Sequence, residues 1–281
     1  MTKLSAYTLA CFGLIGTVVV DDGILERAYA EAIATQGIVT GTGAYARSMA
    51  QVHRARGKSA IDVLRNLFPG NEARAQAAHL AFDRSFSGAV NRAGVRALPG
   101  VGEALSELAG SGYRICVLSS VSHRQVQGML RVLGWRELVD LALGADEVPR
   151  GYPFPDPVLQ AMLRLGVGDV RETVVVQSTE SGVLAGRRAG AGVVVGVLTG
   201  SHPAARLRGA GATHVLASVA DLPGVLAGIV EADAGGGRVV VPPPPSEGMT
   251  GVESARGNQV AQGDLGDRAQ ESIRHLGPGV Q

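Results

Sequence analysis

From Pro99 onward the chain repeats one rhythm: a short apolar run, a turn, then a helical stretch of about a dozen residues. Apolar runs at 113–119, 139–143, 172–177, 193–198 and 213–216 alternate with helical patterns at 101–110, 122–133, 156–165, 180–190, 203–210 and 219–231. Strands that are apolar on both sides need cover on both sides. The alternation therefore predicts an α/β fold, a parallel sheet with helices on each face. A further buried strand is expected at 6–13, closed by Gly16 and Thr17. The palette agrees: hydrophobic residues make up 46% but aromatics only 4%, so the core is built from Val, Leu, Ala and Ile.

Between the first strand and Pro99 the pattern is helical, with Ala/Arg/Leu-rich stretches at 24–36, 44–56, 59–67 and 71–87. Breaks at 37–43 and at Pro69-Gly70 separate them. This predicts an α-helical cap at 23–97 inserted in a core made of 1–22 and 98–232. Residues 233–281 change character again. They carry the run Pro242–Pro245, no aromatic residue and few large aliphatics. Such a segment cannot offset the entropy of ordering itself and is expected to be a disordered tail, with a short helix at 264–276 as an option.

Lys and Arg together number 26 against 25 Asp and Glu, which excludes a basic nucleic-acid binder of the usual kind. No apolar run reaches the ~18 residues a membrane helix needs. The apolar stretch at 8–20 imitates an export signal, but Asp21, Asp22, Glu26 and Arg27 crowd the segment that should be neutral. Cys11 and Cys116 lie in apolar runs and read as buried, reduced thiols. A cytoplasmic protein is the expectation.

Ligands of open α/β sheets bind beyond the carboxyl ends of the strands, here 12–17, 119–122, 145–155 and 177–182. The stretch Phe12–Gly23 and the segments Gly186–Ala191, Gly196–His202 and Gly211–Leu216, in this order and spacing, resemble the haloacid dehalogenase (HAD) superfamily, specifically its phosphonatase-like hydrolases. The resemblance spans roughly residues 6–230 and implies a Rossmann-like core with a helical cap after the first strand. It also implies a chemistry: an Asp nucleophile, a hydroxyl and a basic residue for the phosphoryl oxygens, and acids that hold Mg²⁺.

Position by position, this chain departs from that pattern. Gly13 stands at the nucleophile's place and Ile15 two residues on. Ser120, or Ser119 beside it, fills the hydroxyl position. Tyr152 takes the basic position, with Arg150 two residues away. The Gly-Asp after the fourth strand is Gln177-Ser178, and the later acid is Gly182. Lys58 is the nearest candidate for a cap lysine, although Ala60 takes that position. Glycine cannot form an aspartyl intermediate, and removing a nucleophile costs on the order of a million-fold in rate. Mg²⁺ is normally held through one or two carboxylates, and Gly13, Ser178 and Gly182 supply none.

The reading is a hydrolase-inactive homologue with a binding, regulatory or accessory role, without metal. Its candidate anion site is Thr17, Ser119, Ser120, Ser178 and Thr179, where helix starts converge. A small phosphate, phosphonate or carboxylate is the expected ligand. The rival is an active hydrolase holding Mg²⁺ through displaced acids, with Glu180 as first candidate and Asp21, Asp22, Asp146 and Glu147 behind it. The bland reading of those acids is helix capping and a favourable place in the helix dipole. A third reading has the tail recruit a protein partner.

Overall fold

The computed structural model describes residues 7–234. Six strands form one sheet: β1 (Leu9–Gly13), β2 (Arg114–Leu118), β3 (Leu141–Leu143), β4 (Thr173–Gln177), β5 (Val193–Val197) and β6 (His214–Leu216). Their order is β3-β2-β1-β4-β5-β6, and every neighbouring pair is parallel. This is the Rossmann-like α/β sheet expected from the apolar runs. Side chains alternate across it. Ala10, Phe12, Val117 and Val176 enter the core on one face, whereas Leu9, Cys11, Cys116 and Val175 pack on the other.

β1 lies between β2 and β4: the chain passes from it to β2 and β3 on one side and then crosses back to β4 on the other, a reversal that opens a crevice at the carboxyl end of β1. The chain crosses from β1 to β2 through the helical insert: α1 (Ile24–Ala34), α2 (Gly43–Arg54), α3 (Ala60–Leu67) and α4 (Glu72–Ala93), then α5 (Val101–Gly110). Thr42, Ser59 and Asn71 accept a backbone N–H at the starts of α2, α3 and α4, which fixes where each helix begins. Apolar burial then joins them. Phe82 of α4 lies 4.7 Å from the Tyr29 ring of α1 and 5.9 Å from Phe86, with Ile33 and Leu64 buried around them. Val19 bridges antiparallel to Ala97, which pairs the two chain segments entering and leaving the insert.

The remaining helices are α6 (His123–Leu133), α7 (Asp156–Arg164), α8 (Glu180–Ala189), α9 (Ala204–Gly209) and α10 (Leu222–Ala234). Several boundaries differ from the expectation, among them β1, which starts at Leu9, and β3, which starts at Leu141. α4 runs to Ala93 rather than stopping near 87, because nothing between Gly88 and Gly94 breaks it. Gly94, with φ 71°, ends it. α10 begins at Leu222 after a 3₁₀ turn and extends two residues past the expected end of the core at 232. The described residues fall in one compact unit. The rest of the expected tail, with Pro242–Pro245 and the optional helix at 264–276, lies outside them. No described helix is long and apolar enough to cross a membrane.

Candidate functional site

The carboxyl ends of β1, β2 and β4 and the loops after them border a cavity of about 70 Å³. That admits a handful of water molecules at ~10–15 Å³ each. From the sheet side come Gly13, Ile15, Ser119, Ser120, Tyr152, Gln177, Ser178 and Thr179. From the insert come Glu26, Tyr29, His53, Arg56 and Lys58, with Asp21 just before it.

Four of the five anion candidates reach this wall. Ser119 Oγ accepts the Val121 N–H at 3.3 Å, and Thr179 Oγ1 accepts the Gly182 N–H at 3.2 Å as the cap of α8. Both hydroxyls are therefore partly engaged, Ser119 by the turn before α6 and Thr179 by the start of α8. Thr17 lies beneath the wall instead. It is 1% exposed, donates to Ser178 Oγ at 3.0 Å and accepts the Ser178 N–H at 3.1 Å. These bonds tie the turn after β1 to the end of β4. Among the described residues, Tyr29, Lys58, Ser120 and Ser201 are the polar lining groups whose side chains make no hydrogen bond or ion pair.

Where the resemblance implies a basic residue, Tyr152 is buried and accepts a hydrogen bond from Gln177 Nε2 at 3.0 Å. Burial pushes its phenol well above the usual range, so it stays neutral. Arg150 does not substitute for it. Its guanidinium makes two hydrogen bonds to Asp156 and lies over the Phe154 ring.

Gln177 is the residue that sequence reasoning passed over. It is 3% exposed and its carboxamide lies against Gly13 and Gly182. A Cβ added at Gly13 would sit 2.5 Å from Gln177 Oε1, and one at Gly182 would sit 2.7 Å from Gln177 Cδ. The signal was available: a large amide where the resemblance implies Gly, between two positions that have themselves become Gly.

The displaced acids are engaged elsewhere. Glu180 is half-exposed, faces Arg206 at 3.8 Å and does not line the cavity. Asp22 pairs with Arg96 at 2.9 Å. Asp146 accepts the His123 N–H at 2.7 Å, the start of α6. Asp21 does line the cavity, but its two oxygens take the Gly23 N–H at 3.2 Å and Arg56 at 3.1 Å. No three His, Cys, Asp or Glu side chains converge among the described residues. Beside Gly13 the donors are hydroxyls and one amide oxygen, and the two lining carboxylates, Asp21 and Glu26, face Arg56 and His53, so a Mg²⁺ ion does not fit this donor set.

Glu147 lies at a separate charged cluster with His123 and Arg164. Partial burial opposes its charge, but the Gly144 N–H, Arg164 and His123, at 2.9, 2.9 and 2.7 Å, hold its carboxyl below the usual range. Its contribution to stability is therefore complete above the ordinary carboxylate range and is lost as pH falls through the lowered value. Thermal melts between roughly pH 3 and 6 should show a shallower pH dependence in Glu147→Gln than in the parent. Identical slopes would show that this cluster contributes nothing.

The insert closes on the cavity through one turn. Ser181 Oγ at the start of α8 donates to the Arg56 carbonyl at 3.2 Å. Gly57, with φ 87°, sits so close to Thr179 and Ser181 that an added Cβ would collide with both hydroxyls. Glycine is required here for conformation and for clearance.

A family model described as haloacid dehalogenase-like hydrolase matches residues 20–196, beginning after β1. The phosphonoacetaldehyde hydrolase of Bordetella pertussis is 37% identical over 167 residues, covering 50% of this chain and 59% of that protein. A protein named probable phosphatase IndB, from Dickeya dadantii, is 33% identical over 138 residues, covering 44% of this chain and 59% of that protein. The chain thus spans about three fifths of the length of these relatives. A solved structure described as a hydrolase from Pseudomonas syringae superposes with a TM-score of 0.67 at 26% identity, covering 79% of this chain and 99% of that one.

Proposed function

The chain belongs to the haloacid dehalogenase-like hydrolase family, and from that premise we propose that it is a member without hydrolytic turnover whose cleft binds a small phosphate, phosphonate or carboxylate. In this reading residues 23–97 act as the cap over a core of 1–22 and 98–232. The observation that carries it is Gly13 at the end of β1, with the Gln177 carboxamide where an attacking side chain would extend. No covalent carboxylate intermediate can form without a carboxylate, and the loss is on the order of a million-fold. Binding is a separate matter. Ser120 and Lys58 offer a hydroxyl and an ammonium to one anionic group, and Ser119, Ser178 and Thr179 border the same space.

Purified protein with Mg²⁺ is expected to turn over neither a generic aryl phosphate nor phosphonoacetaldehyde above buffer. Turnover that disappears with chelator and in Glu180→Ala would establish the rival enzyme with displaced acids. Calorimetric titration with inorganic phosphate, methylphosphonate or acetate should give saturable binding. One hydrogen bond to Ser120 is worth about two- to tenfold in affinity, so Ser120→Ala should weaken binding by that factor. Unchanged affinity would remove Ser120 from the site.

A further inference from the structure

We infer that Gln177 closes the cleft to divalent metal: its carboxamide fills the space that side chains at positions 13 and 182 would need. The three positions belong to different elements, the end of β1, the end of β4 and the first turn of α8. They meet at one point. A Cβ on Gly13 would lie 2.5 Å from Gln177 Oε1, 2.7 Å from Thr17 Oγ1 and 3.1 Å from Gln177 Cδ. A Cβ on Gly182 would lie 2.7 Å from Cδ and 2.9 Å from Cγ. Real Cβ atoms do not approach heavy atoms below 3.0 Å. The large residue at 177 and the absent side chain at 182 therefore require one another, and at 13 the Gln177 carboxamide shares the obstruction with the Thr17 hydroxyl.

Gln177 is also not free to swing aside. It is 3% exposed, and its amide is bonded to the buried Tyr152 hydroxyl at 3.0 Å. Moving it would break that bond and its packing against the end of β1 and the start of α8. Either orientation of the amide can bond a hydroxyl, which donates and accepts. The result is a neutral, packed floor. A Mg²⁺ ion demands near-octahedral oxygen ligands, usually including carboxylates. This floor offers one amide oxygen, and the Lys58 ammonium shares the cavity. The inference deepens the proposed binding role, on which it rests for one corollary: binding of the anion is independent of metal.

The test is Mg²⁺ titration calorimetry on three proteins: the parent, Gly13→Asp/Ser178→Asp, and that pair combined with Gln177→Gly. The parent and the double variant should show no saturable Mg²⁺ uptake at millimolar concentration. The triple variant should gain it, with an affinity at least tenfold higher. Equal Mg²⁺ affinity in the double and triple variants would overturn the inference.

A milder pair guards against misfolding. Gly182→Ala should lower the melting temperature in the parent. In a Gln177→Ala background it should leave the temperature unchanged or raise it, because alanine suits a helix better than glycine. The same shift in both backgrounds would overturn the inference without touching the absence of turnover. Metal-free hydrolysis by the parent would sink the proposed function and leave this packing intact.

Discussion

Replacing Phe82 with alanine is expected to destabilise the protein by about 3–5 kcal/mol. The ring is fully buried and holds Tyr29 on one side and Phe86 on the other. Its removal leaves a cavity between α1 and α4 that rigid helices cannot fill. Domains of this size hold only about 5–15 kcal/mol in total, so roughly a fifth or more of the stability would go. The thermal midpoint should fall on the order of 10 °C. The effect reaches the candidate site, since Tyr29 is part of the cavity wall. Leu163→Ala is the control, because that side chain is 68% exposed and its loss should stay within about 0.5 kcal/mol. Matching melts for the two variants would refute the packing account.

Gly57→Val is expected to undock the insert from α8. The position has φ 87°, which costs a side-chain-bearing residue about 1–2 kcal/mol and a β-branched one more. Added to that is the collision with Ser181 and Thr179. The hydrogen bond from Ser181 to the Arg56 carbonyl cannot survive the displacement. Trypsin should then cut at Arg54 or Arg56 faster than in the parent, and affinity for a small anion should drop at least tenfold. Gly70→Val separates strain from docking. Gly70 has φ 73° but nothing within 4 Å of an added Cβ. It should lose stability and keep its affinity. Equal affinity losses in the two variants would attribute the effect to backbone strain and not to the docked turn.

The sheet was readable because strands buried on both faces are written as unbroken apolar runs. Val174, Val175 and Val176 need no alternation to be recognised. Helix ends were less readable. α4 passes the expected stop because Gly88 is tolerated inside a helix, whereas the positive φ of Gly94 is a property of the folded backbone. In the site, the positions without carboxylates were plain from residue identity. What replaced them was not. That Gln177 lies against both Gly13 and Gly182 depends on the register of β1 beside β4 and on the entry angle of α8. Thr17 is expected among the wall-lining hydroxyls from its place just after the first strand. The tight turn at Leu14–Val19 turns it instead toward Ser178. The direction of Glu180 was equally hidden, being set by Arg206 across the next loop.

The place of β1 in the sheet has a cost during synthesis. Its partners begin at Arg114 and Thr173, both more than a hundred positions later in the chain. At ribosomal speeds of about 5–20 residues per second, this strand waits roughly ten to thirty seconds for its second neighbour. All five of its residues end up fully enclosed. The four helices that follow can collapse on one another in the meantime through nearby contacts. The nascent polypeptide thus carries an unpaired, sticky β1 through that interval, which is when a cellular holdase would matter most.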